Sequence, residues 1–296
     1  KHLIRSSTYF WSQINGLKKN KGMALTLNPS YSRKGIGANL TLRRLQHMYF
    51  YSEAGANDQF FMLNYIPANT KQHKYSLANL FPYTAQAKNE LSYQADFFYL
   101  FPKNTTLGGK YGTKLAINYS KQYADGFSEN TSFSQLTAEG NMHYRDFNIE
   151  MDKKWDKQWK TIFSFISLNM ENYYLVPDYA IQQSNTVVSD IQYKIKPGKT
   201  LRVELQHLWA ESSSKNWYSF LAEYAVAPNW SVYLSDMTNY SGDKKHFPNG
   251  GFQLNIKSTQ LHVNYGRNRE GYKCSGGICR WMPAYSGIGF SLTSNF

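Results

Sequence analysis

The sequence has no apolar run long enough to cross a bilayer as a helix. Such a span takes about 20 consecutive apolar residues, and none occurs in the 296 residues. A helical membrane protein is thereby excluded. Cysteine is scarce, with only Cys274 and Cys279, in Cys-Ser-Gly-Gly-Ile-Cys. Two thiolates cannot complete a structural zinc site, which usually takes four ligands, and the His residues are scattered. No metal or cofactor is expected. A local disulfide in an oxidising compartment is the simpler reading, and the Gly-Gly pair lets so short a ring close. Catalytic signatures such as Gly-x-Ser-x-Gly and His-Glu-x-x-His are missing, so the chain is not expected to be an enzyme. Acidic residues are few, 20 against 33 Lys and Arg, for a net charge of +13. A basic balance can mark a nucleic-acid partner, but these cations lack the clustered footprint such binding needs. Anionic lipid head groups, including lipopolysaccharide, or other envelope proteins are the expected partners.

Aromatic residues are abundant: 24 Tyr, 18 Phe and 7 Trp. Mean hydropathy is nevertheless low, at −0.57. A strand that meets lipid on one side needs apolar residues only at alternate positions, so the two values fit a transmembrane β-barrel. They also fit a soluble β-sandwich, and patterning must decide.

Alternation of period two recurs along the chain. At the C-terminus Ile288, Phe290, Leu292 and Phe296 share one face, and Gly287, Gly289, Ser291 and Thr293 the other. This resembles the C-terminal insertion signal of bacterial outer-membrane proteins, which implies the barrel-assembly machinery as a transient partner. The pattern repeats in Leu261-Val263-Tyr265, Phe252-Leu254-Ile256, Leu201-Val203-Leu205, Ile191-Tyr193-Ile195, Leu115-Ile117, Ile36-Ala38-Leu40-Leu42 and Met23-Leu25-Leu27. Charges of both signs fall on the opposite faces: Arg43, Lys114, Glu150, Asp152, Asp190, Lys194, Arg202 and Glu204. An enclosed polar lumen, in which they pair across strands, suits them better than bulk water. Pairing rather than chemistry is their expected role.

Short turns alternate with longer links at roughly 66–88, 121–143, 174–184, 212–216, 241–247 and 268–284. Barrels place short turns in the periplasm and long loops outside. The expected fold is all-β: a transmembrane antiparallel up-and-down barrel of about 14 strands in the cell outer membrane. It forms a single domain, 1–296, with strands near 2–13, 22–31, 35–50, 89–101, 107–120, 144–155, 159–173, 184–196, 199–211, 216–226, 230–240, 248–257, 259–267 and 285–296. Trp155, Trp159 and Trp230 at one set of strand ends, with Trp209 and Trp217 at the other, read as interfacial girdles. The chain opens Lys1-His2-Leu3-Ile4 without a leader. A cleaved signal or a longer parent chain is expected.

Three stretches resemble a family of Bacteroidota outer-membrane proteins of unknown function. They are Thr70 to His73 through Leu80-Phe81-Pro82-Tyr83, then Leu107 to Thr113, and Cys274 to Arg280 with Pro283-Ala284. The resemblance implies a barrel and an envelope location, and supplies no catalytic residue.

Loop 66–88 is unusually apolar for an exposed segment. With Tyr75, Leu80, Phe81 and Tyr83, and with Trp281 in loop 268–284, it is expected to act as a plug or a docking surface. His73 and His246 are expected to be solvated. The favoured role is a non-enzymatic accessory subunit of an envelope assembly. A porin-like diffusion channel is the alternative.

Overall fold

Alternating side chains cannot share one face of a helix, but they sort cleanly onto the two faces of a pleated strand. The computed structural model describes residues 2–15, 18–50, 52, 63–124, 142–170, 182–211, 215–242, 244–275 and 278–294. These residues contain no helix, hence none long and apolar enough to cross a membrane. The strands are β1 His2–Asn15, β2 Lys18–Arg33, β3 Ile36–Gln46, β4 Asn89–Phe101, β5 Thr113–Ala124, β6 Met142–Lys154, β7 Trp159–Met170 and β8 Gln182–Lys196. They continue with β9 Lys199–Ala210, β10 Trp217–Val226, β11 Trp230–Asn239, β12 Asn249–Ile256, β13 Thr259–Asn268, β14 Gly271–Ser275, β15 Ile278–Met282 and β16 Tyr285–Ser294.

Fourteen of them form one sheet in the order β1 through β13, then β16. Every neighbouring pair is antiparallel, so the sheet is an up-and-down meander. β1 and β16 end the order, and among the described residues no register joins them. Three expectations about links change. Loop 268–284 carries its own hairpin, β14 with β15, in which Cys274 stands opposite Cys279. β2 begins at Lys18, so only residues 16 and 17 separate it from β1. The turn near Lys103 is a longer link, 102–112, tied by a Thr105–Gly109 bridge. Elsewhere at that margin turns are tight. Gly35 and Gly198 sit at φ +78° in two of them, a conformation that disfavours any residue with a Cβ.

The distribution of side chains is inverted relative to a water-soluble sheet. Apolar outward residues are bare: Ile288 is 78% exposed, Phe290 68%, Leu292 59%, Leu234 58% and Ile256 58%. Polar residues on the inward face are sealed, with Glu90, Ser120, Gln122 and Asp146 at 0%. Covered outward residues occur near the long-link ends of β4 and β5, where Leu91 and Tyr123 pack with Tyr93 and Met142.

The sheet curls around the segment between β3 and β4. Leu77 bonds a residue of β9 and Tyr83, six residues later, bonds one of β4. Five strand steps separate β4 from β9, about 24 Å in a flat sheet at ~4.8 Å per step. Leu80 between them touches Arg269, just past β13, nine steps from β4. Only a curved wall brings all three partners to so short a segment.

Candidate functional site

The inward face is polar because alternate strand positions carry Ser, Asn, Gln and charged residues, and residues 67–86 bond to them strand by strand. Arg43 of β3 donates to the Pro67 carbonyl at 2.5 Å. Asn69 donates to Ser92 of β4 at 3.1 Å, and its carbonyl accepts from Gln122 of β5 at 2.5 Å. Lys71 donates to Asn148 of β6 at 2.8 Å. His73 meets Asp146 at 2.6 Å. The Tyr75 hydroxyl donates to Asp190 of β8 at 3.3 Å. The Leu77 amide donates to Gln206 of β9 at 2.8 Å, and Ser76 lies 3.3 Å from Ser219 of β10. The segment then returns, and Glu90 of β4 accepts from the Tyr83 hydroxyl and the Gln86 amide, both at 2.8 Å.

Apolar contacts follow the same path. Tyr75 and Ala78 pack on Ile166 and Val188. Tyr83 packs on Tyr144, Leu168 and Met170, and Leu77 and Leu80 on Leu208. Each large side chain so buried contributes about 1.5–3 kcal/mol. The inward side of β7 is greasy because the segment covers it. Burial, with Asp190 and Glu90 alongside, pushes the Tyr75 and Tyr83 phenols well above their ordinary range, so both remain donors.

The charges predicted to face inward all lie on that face by register. Arg43 is buried and bonds Glu90 at 2.7 Å. Arg202 is held by Asp190 at 3.0 Å and by Glu204. Asp152 pairs with Lys160 at 2.9 Å, and Glu150 lies 3.8 Å from Lys71. Lys114 stands over the Phe98 ring at 5.3 Å, and Lys194 is exposed near the short-turn margin. The structure brings Asp190, Arg202 and Glu204 into one cluster and leaves Lys114 and Lys194 apart from it.

The docking reading of the loop is corrected. Tyr75, Leu80 and Tyr83 are buried and Phe81 packs inside, so none is offered to a partner. His73 is buried rather than solvated, because its ring bridges to Asp146. His246 is exposed and meets Asp236 at 2.6 Å. Trp217 is not on the outward girdle: it faces inward against Leu77, Leu80 and Leu208. His207 does face outward, 4.1 Å from the Trp209 ring, and bonds the Tyr240 hydroxyl at 2.7 Å. The side chains of Trp281, Cys274, Cys279 and Phe296 lie outside the described residues. No sequence motif marks Glu90, Asp146, Gln206 or Lys71 as site residues. The signal for them was the inward apolar face of β7, which needs a cover.

The segment does not fill the interior. Beside it lies a cavity of about 690 Å³, lined by Lys74, Arg202, Glu204, Tyr233, His262 and Arg269 among others. Burial lowers the Arg269 guanidinium to about 10, which leaves it cationic at neutral pH. On the adjoining β16 the inward residues are small, and a Cβ at Gly287 would meet nothing within 4 Å.

A curled antiparallel meander, greasy outside and polar within, that holds its own connecting loop in its interior: this is the class that fold and site define. The chain belongs to a family of unknown function (DUF6029), whose match spans residues 5–296. No curated protein sequence matches it. Among solved structures, a mutant Rh. blastica porin aligns at a TM-score of 0.36 and 11% identity, covering 90% of this chain and 94% of that one. A mutant ferric enterobactin receptor from Pseudomonas aeruginosa, in complex with enterobactin, aligns at 0.40 and 13% identity, covering 93% of this chain and 45% of that one.

Proposed function

We propose that the protein is a non-enzymatic outer-membrane β-barrel, closed by pairing of β16 with β1, that works as a narrow porin-like channel constricted by residues 63–88. The observation that carries this reading is the inside-out sheet. Bare Ile288, Phe290 and Leu292 in water would cost on the order of 1.5–3 kcal/mol each, a cost that hydrocarbon removes. Along β6 the outward charges Arg145 and Lys153 bracket Phe147, Ile149 and Met151. At ~3.3 Å per residue they stand about 26 Å apart along the strand, or roughly 20 Å along the membrane normal at a tilt of ~40°, and their long side chains reach outward to the edges of an apolar band ~25 Å tall. Trp155, Trp159 and Trp230 lie at the short-turn margin, where indoles favour the head-group layer. That margin is periplasmic and the long links are external. The resemblance to Bacteroidota envelope proteins favours the same compartment.

An accessory role in a larger envelope assembly would have to use another surface, since the loop expected to dock is turned inward. Planar-bilayer recording separates the two roles. The intact protein is expected to give small steps, and replacing residues 68–86 by a short Gly-Ser bridge is expected to raise them severalfold. Silence from both proteins, with insertion verified, would leave a filled structural barrel. A Cys274–Cys279 disulfide is part of the proposal, and so short a ring removes little loop entropy. Cys274→Ser should leave the yield of folded barrel unchanged and speed proteolysis within 269–284 only. A lower folded yield would contradict this.

A further inference from the structure

Carboxylates avoid the outward face. On outward positions of β2 through β13 and β16, Asp236 is the sole one among the described residues. It is taken up by His246, Thr238 and the Phe247 amide. Cations do occur outward, at the margins. Arg33 and Lys153 lie at the short-turn side, and Lys121, Arg145 and Arg267 at the long-link side.

Two of these are paired in an unusual way. Lys121 of β5 stands directly opposite Arg145 of β6. Residues so placed have Cβ atoms about 4.5–5.5 Å apart, and like charges there repel. Among the described residues neither makes an ion pair or a side-chain hydrogen bond. The Lys121 ammonium sits over the Tyr123 ring at 4.8 Å. On the next strand, Asn169 lies opposite Arg145. Its amide oxygen is buried with no hydrogen-bond partner among the described residues. Two unneutralised cations and one unmet acceptor thus meet just above the apolar band, beyond Tyr119 and Phe147.

We propose that Lys121 and Arg145 form a binding site for the phosphate of a phosphorylated glycolipid in the outer leaflet, with a sugar hydroxyl donating to Asn169. The inference rests on the membrane reading above. A phosphate oxygen between the cations turns their repulsion into two charge-assisted hydrogen bonds. A glycolipid supplies the acyl chains for the band below, the anion for the cations, and a hydroxyl for the amide. A free anion supplies only the second.

The test uses the full chain in nanodiscs of phosphatidylcholine doped with diphosphorylated lipid A or its dephosphorylated counterpart, read by native mass spectrometry. The wild type is expected to retain the phosphorylated lipid and release the other. Lys121→Gln with Arg145→Gln should weaken retention on the order of tenfold or more, given what each cation near an anionic surface contributes. Lys121→Arg should keep it. Equal retention of both lipids, or no change in the double variant, would overturn the site while leaving the barrel intact. Failure of the wild type to enter nanodiscs at all would instead overturn the membrane reading. Heat-modifiable migration of each variant checks folding.

Discussion

Glu90→Ala is expected to release the internal loop and to open the channel. Glu90 is fully buried and accepts from Arg43, Tyr83 and Gln86 at once. Removing one member of a buried ion pair costs about 3–5 kcal/mol, because the other charge stays behind uncompensated. Here Arg43 is left buried, with the Pro67 carbonyl as its remaining partner. The segment between β3 and β4 then loses the acceptor that Tyr83 and Gln86 share at its finish, while the Arg43 that holds its start is left without its counter-charge. The variant should show a lower unfolding temperature in detergent, larger bilayer steps, and new protease cleavage within 63–88. Glu90→Gln keeps the shape and part of the hydrogen bonding, so its effect should be smaller. Unchanged steps together with unchanged cleavage in Glu90→Ala would mean that the loop is held elsewhere.

Leu292→Arg should lower assembly of the barrel. Leu292 is bare on the outward face of β16, between Phe290 and Ser294. A charge on the lipid face costs on the order of 2–4 kcal/mol at the bilayer mid-plane and less toward the interface, and Leu292 stands two residues from the end of β16. Ser291→Arg, one residue earlier, faces inward beside His262, where the cavity has room. The two substitutions add the same group to the same strand. Folded yield by heat-modifiable electrophoresis should fall sharply for the first and little for the second. Equal yields would remove the basis for assigning the outward face to lipid.

The strands were legible because their two faces meet different surroundings. Leu201, Val203 and Leu205 on one side and Arg202 and Glu204 on the other leave one pleated solution, and the register of β9 against β8 and β10 follows it. The fate of loop 66–88 was not legible. Tyr75, Leu80 and Tyr83 are as well suited to a partner's surface as to the protein's own interior, and composition cannot separate the two. The decisive hint lay in β7. Phe163 and Phe165 face outward while Ile162, Ile166 and Leu168 face inward, so alternation fails and both faces need an apolar contact. The burial of His73 is not legible for a related reason: its partner Asp146 is 73 residues away, and no local pattern connects them. The β14–β15 hairpin is not legible either, because the two five-residue strands that flank Gly276-Gly277 in the sequence carry too little periodicity.

Because each strand sorts its residues by parity alone, length changes and substitutions act very differently in this molecule. Dropping Thr200 at the start of β9, with the preceding turn held in place, would swing Arg202 and Glu204 out toward the greasy surroundings and pull Leu201 and Leu205 in. Several residues added at the long links would disturb no such parity. Natural variation in size should therefore accumulate at that one rim, while the span of every strand stays fixed.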